Sequence, residues 1–444
     1  MVLEAGDSFM PPKRMELDER SMKQRRIKAE LIADGLKLSN IDAMALGATD
    51  WTIGTAWLRQ MVDDKDLPVL AANLTCDGKN PYPASKIVES GGRRVGVVGI
   101  TDGEVEGCEV GDPIAALQAA FDKLGEVDVS IALLPVRTAP DMALLTNTDL
   151  AFDIGFDARG THTRAAGDKK GKIWMYGAGN KGKTLGILTL GFVEGATTWE
   201  PSGQTAAIQE RVDRIQTRLD STKKRAESET DPNRKALFEK QVKSYEGQLE
   251  RETKLLEQAG NTKTVGNKLG NEEVQLARTI KNHEATEKLV VASKAKIGDE
   301  QTAASPNIAP HKIPEGVYAG SDACATCHRP EFLQWAGTAH ARSYQTLYSE
   351  KRHMDDDCFS CHVTGAGEDD GPKSPVQVKG FRDVQCEACH GPSRAHSVDP
   401  TNAELKPNRD PGQQVCVKCH DGDNDGGRFD FPHYRPKIVH KSSE

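Results

Sequence analysis

C-A-T-C-H (Cys324, Cys327, His328), C-F-S-C-H (Cys358, Cys361, His362), C-E-A-C-H (Cys386, Cys389, His390) and C-V-K-C-H (Cys416, Cys419, His420) divide the last third of the chain. Each is the C-x-x-C-H pattern of covalent c-type haem attachment. Two thiols at i and i+3 can each take a haem vinyl group through a thioether, and the next histidine supplies the proximal iron ligand. The four repeats use eight of the ten cysteines. A zinc site would call for Cys and His converging in tetrahedral sets and leaves the histidine fixed behind each pair unexplained. Four covalent haem c groups are therefore expected.

The rest of the composition fits a haem-rich chain. Of 444 residues only 37% are hydrophobic and 5% aromatic, lean values for a long chain unless porphyrin fills part of the core. The length allows two or three domains. The net charge of −8 argues against nucleic acid as a partner, and no run reaches the 18 or so apolar residues of a membrane span. Haem is attached to C-x-x-C-H outside the cytoplasm, so a periplasmic or extracellular protein is expected. Residues 1–30 lack the apolar segment of a signal peptide, which places the expected export signal upstream of Met1.

Residues 1–203 alternate short apolar runs with amphipathic stretches, the pattern of an α/β sheet flanked by helices. Strands are expected at 43–46, 69–72, 95–100, 129–134, 173–176 and 185–190, with helices at 20–36 and 113–124. V-L-E-A-G-D-S-F at the start, L-P-V-L-A-A-N-L (67–74) and R-V-G-V-V-G-I-T (94–101) resemble the metallophosphoesterase domain of the 5′-nucleotidase family. The resemblance implies a two-metal site, yet its ligands are largely replaced. Ala48 and Thr49 stand where that family has asparagine and histidine, and Val136 stands where it has a ligand histidine. In R-G-T-H-T (159–163) only His162 is kept, so Asp7 and His162 are the ligands left. A two-metal site holds each ion with several ligands, so no divalent metal is expected and the domain reads as a scaffold that has lost hydrolysis. Cys76 and Cys108 each follow an expected strand. If those strands are parallel neighbours the thiols form a disulfide; otherwise they are separate buried thiols.

From 204 to 262 the composition turns to Glu, Lys, Arg and Gln. Ile208, Val212, Ile215 and Leu219 recur at 4-3-4 spacing, and Phe238, Val242, Tyr245, Leu249 and Leu256 repeat a similar stripe. Asp231 as N-cap with Pro232 behind it restarts the helix. This predicts an antiparallel helical hairpin, a coiled-coil-like pair whose stripe packs on itself or joins a second copy of the chain. Residues 270–297 resemble the last strand and helix of the metallophosphoesterase domain, which makes the hairpin an insertion. The expected plan is an α/β domain over 1–203 and 263–300, the hairpin over 204–262, a linker over 301–316 containing Pro306, Pro310 and Pro314, and a mostly α, haem-packed domain over 317–444.

C-A-T-C-H-R-P-E-F-L-Q-W-A-G-T-A-H-A (324–341), D-C-F-S-C-H-V-T-G-A-G (357–367) and V-Q-C-E-A-C-H-G-P-S-R-A-H (384–396) resemble the tetrahaem cytochrome family that accepts electrons from hydroxylamine oxidoreductase. The resemblance implies closely packed haems with distal histidines crossing between them: His340 over the third haem and His396 over the first. It also implies a five-coordinate second haem. The histidine those relatives place ahead of the fourth motif is missing from 405–415, so a tail histidine is the expected replacement, His440 first, with His433 and His353 as alternatives and His311 the remote one. The reading is an exported electron carrier serving redox partners, other cytochromes or a quinol-linked donor. Its rivals are a reductase of a nitrogen or sulfur oxide at an open haem and, behind it, a phosphoesterase.

Overall fold

The computed structural model describes residues 1–11, 19–136, 150, 152–158, 167–179, 182–202, 204–229, 232–260, 266–277, 279–299, 311–421, 424–425 and 428–440. Thr138, the 159–163 motif with His162, Asp231, and the linker prolines Pro306 and Pro310 lie outside the described residues. The chain forms two compact units, 1–12 with 32–283 and 13–31 with 284–444.

The first unit contains the strands β1 (Leu3–Glu4), β2 (Ala43–Met44), β3 (Leu74–Cys76), β4 (Ser85–Ser90), β5 (Arg93–Gly99), β6 (Cys108–Val110), β7 (Val129–Leu134), β8 (Ile154–Asp157), β9 (Asp168–Lys170), β10 (Ile173–Tyr176), β11 (Thr184–Gly191), β12 (Trp199–Pro201) and β13 (Asn267–Gln275). Its main sheet runs β4-β5-β7-β8-β10-β9. The four inner strands are parallel and the two edges antiparallel. Inner strands of such a sheet are covered on both faces and read as nearly unbroken apolar runs. V-S-I-A-L-L in β7 does so: Val129, Ile131 and Leu133 point into one core with Val95, Val97 and Ile154. Ala132 and Leu134 point into the other with Val98, Ile100 and Met175. Leu117, Ala120 and Leu124 of helix Pro113–Leu124 close that second face, and Asp112 caps the helix by accepting from the Ile114 and Ala115 amides.

Most expected strands occur where the pattern put them, but residues 69–72 contribute only a bridge from Val69 to Met44. The disulfide expectation is met by a different route. Cys76 and Cys108 are bonded, and they face each other across the antiparallel ribbon β3–β6, not at the shared edge of parallel strands.

Helices Gln204–Ser228 and Pro232–Gly260 pack as an antiparallel pair, tied by Arg211 to Glu252 and Lys223 to Glu246. Ile208 and Leu219 of the apolar stripe are buried. The pair leaves the sheet after β12 and returns to β13, which lies parallel to β12 and antiparallel to β11.

The second unit takes in more than the expected haem segment. Residues 13–31 and helix Glu284–Asp299, both assigned above to the α/β domain, group with it. The reason is local charge: Lys296 reaches Glu30, and Arg20, Arg25 and Lys28 pair with Asp355–Asp357. The rest is short helices with one apolar cluster, in which Tyr318, Tyr344, Leu347, Phe359 and Phe381 meet. Among the described residues no helix is long and apolar enough to cross a membrane.

Candidate functional site

All four C-x-x-C-H motifs lie on or just after single helical turns. The second and third sit in helices Asp356–His362 and Cys386–His390. The first and fourth follow Ser321–Cys324 and Gln413–Cys416, where His328 N and His420 N donate back to Cys324 O and Cys416 O at 2.8 and 2.9 Å. A helical turn brings i and i+3 to one face, so both thiols of a motif address the same side.

The motifs abut in pairs. The Cys324 and Cys386 thiols hydrogen-bond each other, which pulls Cys386 down to about 7 and pushes Cys324 up. Cys419 is likewise raised by its hydrogen bond with Cys361. The Ser321 hydroxyl, at the start of the helix that ends at Cys324, lies 3.1 Å from Cys386 Sγ, so the first and third attachment points are neighbours.

The histidine rings are the more telling geometry. His328 and His396 have ring centres 6.4 Å apart, His340 and His420 6.1 Å, and His390 and His440 6.0 Å. Two imidazoles bonded to opposite sides of one metal ion, each at about 2 Å, put their centres about 6 Å apart. The residues present therefore fit a haem iron in each of three pairs. His396 lies against His328 of the first motif, the place the family resemblance implies for it. For the other two the partners are exchanged: His340 faces the fourth motif instead of the third, and His440 faces the third. The backbone explains the exchange. Gln334 donates to Val439 O at 2.8 Å and Arg435 pairs with Asp410 at 2.6 Å, which ties the tail helix Phe431–Ile438 down and sets His440 beside His390.

Electrostatics agree with ligand use. Burial and the neighbouring His420 hold His340 below the usual histidine range, and burial with His390 nearby does the same for His440. A metal takes the neutral ring, so a depressed value favours it. The His396 Nδ1 is buried with no hydrogen-bond partner. His362 Nδ1 lies 2.7 Å from Ser343 O and His390 Nδ1 2.6 Å from Asn408 O. A carbonyl can only accept, so each ring donates from Nδ1 and keeps Nε2 for a metal.

Among the described residues no second histidine ring lies against His362. His353 packs on Tyr348, 4.6 Å away, and on Tyr344, and its Nδ1 is buried without a partner. His433 contacts Tyr434 and Lys437. His311 is taken by Asp383 at 3.0 Å.

Several residues that hold the site together gave little warning. Glu387, between the third pair of cysteines, is 3% exposed and accepts from the Ala319, Gly320 and Ser393 amides. Gln385 bridges Ser321 N to the Gly380 and Arg382 carbonyls. Arg394 gathers the carbonyls of Ile313, Gly316 and Tyr318. Gly320 has φ +85°, and a Cβ there would strike His311 O, so the entry to the first motif requires glycine. The signal for the basic helix was present: Arg20, Gln24 and Lys28 at four-residue spacing, and three aspartates ahead of Cys358.

In the first unit, Asp7 and the residues at the replaced positions form a hydrogen-bonded knot. Asp7 Oδ1 accepts from Thr49 N at 2.8 Å and Thr49 Oγ1 at 2.6 Å. Asp50, fully buried, accepts from the Asp7, Phe9 and Gly47 amides. Gly47 is required because a Cβ would overlap the Asp7 carboxyl. Burial pushes both Asp50 and the half-buried Glu4 up to about 7. Among the described residues no cluster of three or more His, Cys, Asp or Glu could hold a metal ion.

Comparison with known proteins bears on each unit separately. Residues 323–391 match the model of the family cytochrome c554 and c-prime. Cytochrome c-554 of Nitrosomonas europaea is 29% identical over 95 residues, which cover 18% of this chain and 40% of that protein. Among solved structures, the sulfate thiohydrolase SoxB of Thermus thermophilus aligns with 79% of this chain and 50% of its own, at 17% identity and a TM-score of 0.44. A 5′-nucleotidase precursor of the same organism aligns with 43% of this chain and 41% of its own, at 18% identity and a TM-score of 0.35. Residues 323–391 thus carry the sequence pattern of the cytochrome c554 and c-prime family.

Proposed function

We propose that this chain is an exported electron carrier with four covalent haem c groups, fused to a phosphoesterase-like domain that no longer hydrolyses. The observation that carries the reading is the set of three histidine-ring pairs at 6.0–6.4 Å, each pairing a motif histidine with one from elsewhere. When bound, the haems would supply one-electron oxidation and reduction. His328 with His396, His390 with His440 and His420 with His340 would hold three of the irons. That leaves no site for a substrate at those three. Ser343 and Asn408 would orient the proximal rings of His362 and His390. The abutting Cys324/Cys386 and Cys361/Cys419 thiols would bring the attached groups together in pairs, favouring transfer through the unit to other redox proteins.

The reading is tested by a pyridine haemochrome assay with electron resonance on matured protein. Four haems per chain, with three low-spin irons, are expected; two or fewer haems would sink the proposal. Loss of hydrolysis is tested with nucleotide and phosphodiester substrates and added divalent metals. Turnover that disappears on Asp7→Ala would overturn that half.

A second reading rests on His362, which faces no other histidine among the described residues. A free axial position at the second haem would allow a small nitrogen or sulfur oxide to bind. A high-spin signal that shifts on adding nitrite or sulfite would favour it, and four low-spin irons would remove it.

A further inference from the structure

Within the second unit, three consecutive carboxylates precede the second haem motif, and a distant helix answers each of them. Arg20 Nη2 lies 2.6 Å from Asp356 Oδ1. Arg25 grips both oxygens of Asp357 at 2.7 and 2.9 Å, and Lys28 Nζ reaches Asp355 at 2.5 Å and Asp357 at 2.7 Å. Gln24, 2% exposed, donates to Met354 O at 2.6 Å and accepts from Asp356 N at 3.4 Å. These residues stand at i, i+4, i+5 and i+8 along helix Glu19–Leu38, so they share one face.

Asp357 keeps a 45% exposed side chain, but the rest of the cluster is sheltered. The Asp355 side chain is 6% exposed and that of Arg25 13%. Three like charges in one turn repel, and buried charge is tolerated only when paired. Asp355 also caps helix Asp356–His362 by accepting from Asp357 N. That helix carries Cys358, Cys361 and His362, with Cys358 next to Asp357. Other charges facing the triplet include Arg352, bonded to Asp355 at 2.8 Å. Burial works against the charged form of Asp357, but Arg25 and Lys28 prevail and hold it at about 2.

We propose that Arg20, Gln24, Arg25 and Lys28 are positioning residues for the second haem: a clamp from the N-terminal segment that fixes residues 354–357 and so the helix bearing Cys358, Cys361 and His362. This rests on the haem-attachment reading above. The clamp has two effects. It holds the backbone on which both thioethers and the proximal ligand are presented, at the motif whose histidine faces no partner ring among the described residues. It also neutralises three anions beside the attachment site. Reduction adds an electron, which nearby anions oppose and cations favour, so the clamp keeps this haem easier to reduce than the aspartates alone would allow.

The experiment uses the full haem-loaded chain and the triple variant Arg20→Ala, Arg25→Ala, Lys28→Ala, with the swap Arg20→Asp plus Asp356→Arg beside Arg20→Asp alone. Covalent haem is counted first. Backbone hydrogen exchange is then followed across 353–363 and, as control, 384–392, and the four potentials are titrated. Exchange in 353–363 is expected to quicken on the order of tenfold or more, with the control segment unchanged. One potential should fall while three hold, and the swap should restore what Arg20→Asp loses. Unchanged exchange overturns the clamp. Faster exchange with no potential moving reduces it to ordinary packing and overturns the positioning role, and four potentials moving together point to a general charge effect, which does the same. A wild-type chain with two or fewer haems defeats the electron-transfer reading instead, and the exchange comparison still decides the clamp.

Discussion

The α/β unit and the haem unit stabilise themselves in opposite ways. In the first, β5, β7, β8 and β10 bury aliphatic side chains on both faces, with Ile131, Leu133, Val97 and Ala132 almost wholly out of solvent. In the second, the apolar cluster around Tyr318 and Phe359 sits among buried polar groups: Asp355, Asp383, Gln385 and Glu387. Residues such as Leu333 and Val376 are more than half exposed. The first unit carries its core in its own sequence. The second holds its loops with carboxylate-to-amide hydrogen bonds, as Glu387 does with the Ala319, Gly320 and Ser393 amides.

The sharpest way to break that comparison is to make the full chain without haem attachment. Binding free energy is folding free energy when the site forms only with its ligand. Residues 311–440 should then be cut by protease within minutes while 32–136 remain protected, as peptide mapping would report. Equal resistance of both would mean that the haem unit does not depend on its cofactors.

A smaller effect, confined to the second unit, tests the exchanged partners. His440→Ala should convert one low-spin iron to high spin, at the haem attached to Cys386 and Cys389. His340→Ala should do so at the haem on Cys416 and Cys419. Electron resonance gives the count, and the same substitutions made after Cys386→Ser or Cys416→Ser give the assignment: the high-spin signal should vanish only when the haem of the matching pair is removed. The opposite pattern would restore the assignment expected from the family resemblance.

Sequence made the two units unequally legible. Period-two alternation and unbroken apolar runs announced β7 and β10 to the residue, since burial on both faces leaves a strong trace. The C-x-x-C-H repeats announced the attachment sites for a chemical reason that needs no fold. Which distal histidine meets which motif left no such trace, because it depends on how the tail is tied down by Gln334 and Arg435. Motif flanks supplied a family-based guess for His340, and in this chain the tail occupies the place that guess assumed. Glu387 was illegible for another reason: a buried carboxylate is recognisable only once its three amide donors are assembled. The placement of residues 13–31 was missed although both charge patterns were visible, since complementary charge specifies no partner until topology does.

In the first unit the disulfide is the next test. It closes a loop of 32 residues' separation, and chain-entropy arguments give such a link about 3–4 kcal/mol. Cys76→Ala with Cys108→Ala should lower the melting temperature of the α/β transition by several degrees and leave the haem transition in place. A shift in both transitions would mean that the two units do not unfold separately.

The remaining effect is the pH response of the α/β unit, and its sign is opposite to the usual one for carboxylates. Asp50 is fully buried and raised from 3.8 to about 7; Glu4 beside it is raised from 4.5 to about 7. Burial is the largest cause for both, and the amides donated to Asp50 offset it only in part. A raised folded-state value means that the folded chain binds protons which the unfolded chain has already released. The associated stability is fully present below about pH 4, fades as pH rises, and is lost once pH passes about 7. Three pH units on Asp50 correspond to on the order of 4 kcal/mol, at about 1.4 kcal/mol per unit, and the neighbouring charges make that an upper bound. The α/β transition should therefore melt higher at pH 5 than at pH 8. Asp50→Asn removes the titration and should flatten the slope, even though the amide costs stability at every pH: with its oxygen kept toward the Asp7 and Gly47 amides, its NH2 faces the Phe9 amide. A slope that survives Asp50→Asn but disappears in Glu4→Gln would move the effect to Glu4. A transition that instead strengthens from pH 5 to pH 8 would show that Asp50 is ionised in the folded chain, held by its three amide donors.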